Sequence, residues 1–200
     1  MRKKSHLSLA KYMVESLNDE GLRKHRYSFY LGSILPDIKP SFLYKRHEIE
    51  GTFPAVSRRI AQLSDGEKAC RKKGRRYYLD LGQISHYLAD YFTFPHNRNY
   101  TGGFRDHCAY EEQLKHDLRT HLQWKRKMES GTRTTDTKGE PFRTVEALCN
   151  FIQKSHRDYL NKNHNVGDDI LHIVSVNQKV LSGMIGLLAR RRADYGTSRS

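Results

Sequence analysis

The sequence predicts an all-α, single-domain helical bundle. Apolar residues recur at helical spacing over most of the chain, no segment alternates apolar and polar positions for the length of a useful strand, and no internal repeat is present. At 200 residues the chain fits one domain, residues 1–200, around a single core, since domains commonly hold about 100–200 residues. The hydrophobic share of 36% is low but sufficient if each helix buries one stripe.

The elements follow in order. Ser5 is the expected cap of a first helix carrying Leu7, Ala10, Met13, Val14 and Leu17 on one side. A second helix, Tyr27 to Leu35, stops at Pro36, which has no N–H to continue the ladder. Pro40 adds a further break, so residues 37–54 read as an irregular loop. Ala55 to Leu63 makes a short helix, closed by the turn Ser64-Asp65-Gly66. A long helix is expected from Glu67 to Phe92, with Gly74 and Gly82 as weak points. Pro95 and residues 97–103 interrupt the chain before another long helix, Phe104 to Met128. Residues 130–141, rich in Gly, Thr and charge, form an exposed connection to two final helices, 142–162 and 167–192. The last is the most apolar, with Ile170, Leu171, Ile173, Val174, Val180, Leu181, Met184, Ile185, Leu187 and Leu188. It reads as a core helix whose Arg190-Arg191-Arg192 end complements its dipole, in preference to a membrane-surface helix.

A formal net charge of +14 attracts phosphate-bearing partners: nucleic acid, anionic lipid or soluble phosphoesters. The basic runs around residues 71–76 and 125–127 are solvated helix faces and the best places for contact with a polyanion. Cys70, Cys108 and Cys149 are widely spaced and odd in number, a poor disulfide framework that suits a reducing compartment. The basic start is interrupted by Lys11 and Glu15, so no secretory signal is visible, and no run of about 20 apolar residues spans a bilayer. The expected location is cytoplasmic, with a membrane-peripheral position compatible with the charge.

Two phrases carry chemistry. In His86-Tyr-Leu-Ala-Asp90 and in His107-Cys-Ala-Tyr-Glu111, an imidazole and a carboxylate stand at i and i+4, on one side of a helix. Either phrase alone is weak among 11 histidines. Together, on adjacent long helices joined by a loop that supplies His96, they point to a metal cluster. Apolar Leu88, Ala89, Phe92 and Phe94 flank the first phrase and argue for burial, where imidazole and carboxylate need partners. Nitrogen with carboxylate ligation favours zinc over magnesium or calcium. The adjacent pair His116-Asp117 lacks matching partners elsewhere, and His121, His156, His164 and His172 read as solvated or hydrogen-bonded.

The ordered set His6, Leu35-Pro36-Asp37, His47, His86-x3-Asp90-x5-His96 and His107-x3-Glu111 resembles the bacterial zinc-dependent phospholipase C family, whose helical fold is shared with single-strand-specific zinc nucleases. The resemblance implies a first zinc held by Asp37, His47, His86 and Asp90, and a second held by His96, His107 and Glu111. It implies a third as well, toward which Asp90 would bridge and which His6 would help to bind, and it implies Asp37 as a general base. The chain departs from the pattern where secreted members complete the third site with a processed N-terminal tryptophan: here it opens Met1-Arg2-Lys3-Lys4-Ser5, and its one tryptophan is Trp124. Ile38 follows Asp37 where the family's choline pocket has an aromatic, and lysines stand in place of an acidic residue near the N-terminus.

The leading expectation is therefore a zinc-dependent phosphodiesterase acting on a phospholipid or related phosphoester through a metal-activated water, without choline preference. A single-strand nuclease using the same metals comes second, with Tyr91, Phe94 or Tyr100 as stacking platforms. A non-catalytic module with structural zinc comes third.

Overall fold

A computed structural model describes residues 1–38, 47–64, 74–131, 142–162 and 164–197, with backbone alone for 130–131 and 192–197. The described residues form eight α-helices and one short 3-10 helix, with no strand among them. The α-helices are α1 (Lys3–Ser16), α2 (Glu20–Lys24), α3 (Arg26–Ile34), α4 (Ile49–Ser64), α5 (Arg75–Tyr91), α6 (Phe104–Gly131), α7 (Val145–Leu160) and α8 (Val166–Thr197), and the 3-10 helix is Phe94–His96.

Helix α5 is the axis of the bundle. From Tyr77 to Tyr91 it is buried on nearly every side, packed against α1, α3, α4 and α8. The outer helices bury one stripe each. In α6, Leu114, Leu118 and Leu122 recur every four residues and lie inside while charged residues fill the other face. Each such burial contributes about 2 kcal/mol. Helix α8 behaves as the core reading requires: Ile173, Val174, Val180, Leu181 and Met184 are buried. It is long and apolar enough to cross a membrane, yet it packs in the bundle and buries Asp169 and Asn177 there.

The ends of the elements show where local pattern misleads. Ser5 is not a cap: α1 begins two residues earlier, and Ser5 lies buried inside it. The five-residue α2 was not expected; Asp19 caps it, its carboxylate accepting from the Leu22 N–H at 2.6 Å. Helix α4 begins at Ile49, inside the expected loop, and tolerates Pro54 in its second turn because one lost bond is outweighed by burial of Ile49, Phe53, Val56 and Ile60. Thr144 caps α7 by accepting from the Ala147 N–H. The turn at Asp65-Gly66, residues 67–73 of the expected long helix, Cys70 and the connection at 132–141 lie outside the described residues.

Gly82 is the opposite of a weak point. A Cβ there would stand 2.2 Å from the Phe29 carbonyl oxygen, and one on Gly32 would stand 2.0 Å from that of Leu79. The two glycines let α3 and α5 touch backbone to backbone, which brings the Ser33 carbonyl to His86. Gly82→Ala must push the helices apart against a rigid neighbour. Overpacking of this kind costs about 1–3 kcal/mol, and urea unfolding should show a loss at the upper end. A variant as stable as the parent would contradict the close contact.

Candidate metal centre

Five elements send donors to one place. His6 comes from α1, Asp37 from the turn after α3, His86 and Asp90 from α5, His96 from the 3-10 helix, and His107 and Glu111 from α6. His47 joins them from the first residue described after 39–46. One atom each from His6, Asp37, His86 and Asp90 falls within 4.8 Å of the others, and so does one each from His96, His107 and Glu111. His47 stands against the first group, its Nδ1 2.8 Å from Asp90 Oδ2 and 3.1 Å from His86 Nε2. Every residue singled out as a donor thus lies at one of two adjoining clusters.

Asp90 links the two. Its Oδ2 faces His47 and His86, while its Oδ1 lies 3.2 Å from His6 Nε2 and 3.6 Å from His96 Nδ1. The Met1 amine is also buried at this seam, 2.9 Å from Asp90 Oδ1, 2.7 Å from His96 Nε2 and 3.1 Å from Glu111 Oε1. A positively charged group therefore already sits between the two clusters.

The donor set fits a cation. The His86 Nδ1–H donates to the Ser33 carbonyl at 2.9 Å, which leaves the lone pair on Nε2. That lone pair points at His47 Nδ1, at Asp90 Oδ2 3.1 Å away and at Asp37 Oδ1 3.5 Å away. Lone pairs and carboxylates crowded together in a buried site repel unless a proton or a metal ion lies between them. His6 makes the same point: it is buried, stacked on His86 at 3.8 Å, and neither ring nitrogen has an aligned hydrogen bond. The mixed nitrogen and carboxylate shell suits zinc.

Protonation follows from burial and neighbours. Burial drives the His6 imidazole down to about 3, helped by His86, and burial lowers His96 as well. Burial alone would raise Asp90, but the Met1 amine and the His96, His86 and His6 imidazoles hold it well below the usual carboxylate range. Glu111 is lowered against its burial by His96 and the same amine. Burial would lower the amine itself, yet Asp90 and Glu111 raise it. Asp37 moves the other way: burial raises its carboxyl, and His86 only partly offsets this. Of the three carboxylates in the two clusters, it alone is raised.

Asp37, His47, His96, His107 and Glu111 line a cleft of about 1030 Å³ with Arg2, Lys3, Lys4, Arg98 and Lys115, while His6, His86 and Asp90 are buried and do not line it. Phe104 stands at its lip, 83% exposed. Glu48, an acidic lining residue outside the donor clusters, lies 3.5 Å from Arg98. Cys108 is half-buried at the wall and outside both clusters; its carbonyl accepts from Arg2. His116 is exposed and paired with Glu112, away from the centre.

Sequence reasoning missed the Ser33 carbonyl, because a backbone acceptor carries no residue signature. It also missed how His156 and Asp169 support the loop that bears His96. No curated protein and no solved structure matches the chain significantly. Residues 5–166 match the family described as zinc dependent phospholipase C. The match extends past Glu111 to the start of α8, and with it the chain belongs to the zinc-dependent phospholipase C family.

Proposed function

We propose that this chain is a zinc-dependent phosphodiesterase of phospholipase C type, hydrolysing a phospholipid with a neutral or anionic head group. In this reading Asp37, His47, His86 and Asp90 hold one zinc, and His96, His107 and Glu111 hold a second. His6 and Asp90 share in a third. The observation that carries the reading is that members of both donor clusters, Asp37 of the first and His96, His107 and Glu111 of the second, line one cleft together with basic residues. Structural zinc is closed off by protein ligands, whereas a catalytic site keeps a position open to substrate.

Zinc bound there supplies an activated water and positive charge for the phosphoryl oxygens. The chain's own groups do the rest. Asp37, which lines the cleft beside the centre, accepts the proton of the attacking water. The water oxygen bonds to phosphorus, the ester bond to glycerol breaks, and the departing alcohol oxygen takes up a proton. Ser33 fixes the His86 ring so that Nε2 stays a donor.

The lip argues about the head group. Its lysines and arginines attract anionic lipid, and Ile38, 52% exposed, follows Asp37 where the family's choline pocket has an aromatic. The nuclease reading is weakened, since Tyr91 is fully buried and Phe94 is stacked on His164 at 4.0 Å, leaving Tyr100 of the three expected platforms. Mixed micelles of phosphatidylcholine, micelles of an anionic phospholipid and single-stranded DNA, assayed side by side in zinc-replete buffer, test the proposal. The anionic lipid should be cleaved at least as fast as phosphatidylcholine, with a rate that falls as salt rises. Turnover of DNA alone would move the assignment to a nuclease, and no turnover of any substrate would remove the enzyme reading.

A further inference from the structure

Asp169, in the first turn of α8, is fully buried and accepts three hydrogen bonds. Its Oδ2 takes the Phe94 backbone N–H and the Tyr110 hydroxyl, both at 2.8 Å, and its Oδ1 takes the Tyr159 hydroxyl at 2.7 Å. Two of these donors sit next to the second donor cluster. Phe94 begins the 3-10 helix that ends in His96, and Tyr110 precedes Glu111 on α6. A single carboxylate oxygen therefore ties together the two elements that must meet to form that cluster.

The other side of His96 is held in the same manner. The Asn97 side-chain amide donates to the Tyr91 and Thr93 carbonyls at 3.2 and 3.0 Å, closing the loop on itself. Its Oδ1 accepts from His156 Nε2 of α7 at 2.8 Å, and both residues are buried. His96 is thus bracketed by a backbone bond two residues before it and a side-chain bond one residue after it. Neither His156 nor Asp169 touches a donor, and both lie beyond the stretch of sequence that holds the donors.

We propose that Asp169 and His156 are positioning residues for the second cation site, setting the distance between His96 and the His107–Glu111 pair. The proposal rests on the reading of that cluster as a zinc site. It predicts a selective effect. The side chains of His96 and Glu111 are 15% exposed and that of His107 33%, against at most 7% for the first cluster. The second site is the more open, and its affinity depends more on how firmly its parts are held.

Tyr110 and Tyr159 supply a matched comparison. Each loses one hydrogen bond to Asp169 on conversion to Phe, but only Tyr110 belongs to a helix that carries donors. Zinc per chain and its affinity, read by chelator competition, and the visible spectrum of cobalt-loaded protein should be measured for the full chain and for Tyr110→Phe, Tyr159→Phe, His156→Leu and His156→Gln. Melting of each metal-free form supplies the stability control. The parent should bind at least two zinc ions. Tyr110→Phe and His156→Leu should weaken the weaker one about 10–100-fold, the usual effect of losing a partner outside the ligands, and alter the cobalt spectrum. Tyr159→Phe should melt lower but keep that affinity, and His156→Gln, whose amide can still donate to Asn97, should recover it. Zinc affinities that follow the metal-free melting temperatures in all four variants overturn the positioning role and leave the zinc reading standing. A parent chain that binds no zinc overturns both.

Discussion

Replacing Asp90 with Asn should remove bound zinc and lower kcat/KM by at least about a thousandfold, the scale expected when metal chemistry is lost. Among the described residues Asp90 joins the two donor clusters. Asp90 stands within 3.6 Å of His6, His47, His86 and His96 and also receives the Met1 amine. The amide has almost the same shape, so the change isolates the charge: Asn offers one neutral oxygen and presents an NH2 group to lone pairs that need a cation. His86→Ala should match it, because His86 is fully buried and oriented by Ser33. His6→Ala should be milder, since His6 belongs to the third site in the proposed assignment. Metal analysis alongside phosphodiesterase kinetics decides the matter. Zinc retained at the parent level in Asp90→Asn would show that Asp90 does not hold the metal.

Removing the metal should destabilise the fold, and acid should worsen it. An ion present at about a thousand times its dissociation constant contributes roughly 4 kcal/mol, which for a chain of this size is roughly 10 °C in melting temperature. In the stripped protein the sign of the pH effect follows from the pKa directions. His6 is held near 3, below its ordinary 6.5, so the unfolded chain gains a proton below 6.5 that the folded chain refuses, and stability falls as pH drops. From pH 7 to pH 5 this single group removes on the order of 2 kcal/mol. His96 and His156 are lowered by burial and act in the same direction. Asp90 and Glu111 extend the loss to lower pH, because their stabilisation lasts only while they stay ionised. Calorimetric scans between pH 5 and 8 should show both forms melting lower as pH falls, with the chelated protein below the zinc-loaded one at each pH. A chelated protein that melts at the zinc-loaded temperature at every pH would contradict the account.

The parts of the site that were readable in sequence share one property, fixed spacing on a helix. His86 with Asp90 and His107 with Glu111 show themselves because a turn of helix places i and i+4 on one side. Asp37 and His47 had no such signal and were reached through resemblance alone. Asp169 carries no signal beyond an acidic residue in the first turn of α8, and His156 reads as one solvated or hydrogen-bonded histidine among several. Their partners are a backbone N–H and a loop asparagine far away in sequence, which only the fold brings near. Gly82 was misjudged for a related reason. Helix propensity sees a missing side chain as a weakness, whereas tertiary packing uses that absence to seat α3 against α5.

The contact between those two glycines bears on how freely the protein can change. The Ser33 carbonyl reaches His86 across touching main chains, so the spacing that orients this ring does not pass through an interlocking side chain. Large apolar residues of the core, such as Phe29, Leu81 and Ile84, can drift by volume-conserving exchanges while the ring keeps its address. Gly32 and Gly82 have no comparable freedom. Across descendants of this chain, the bulk of the interior is open to neutral turnover, and two positions without side chains carry the inheritance of the metal geometry.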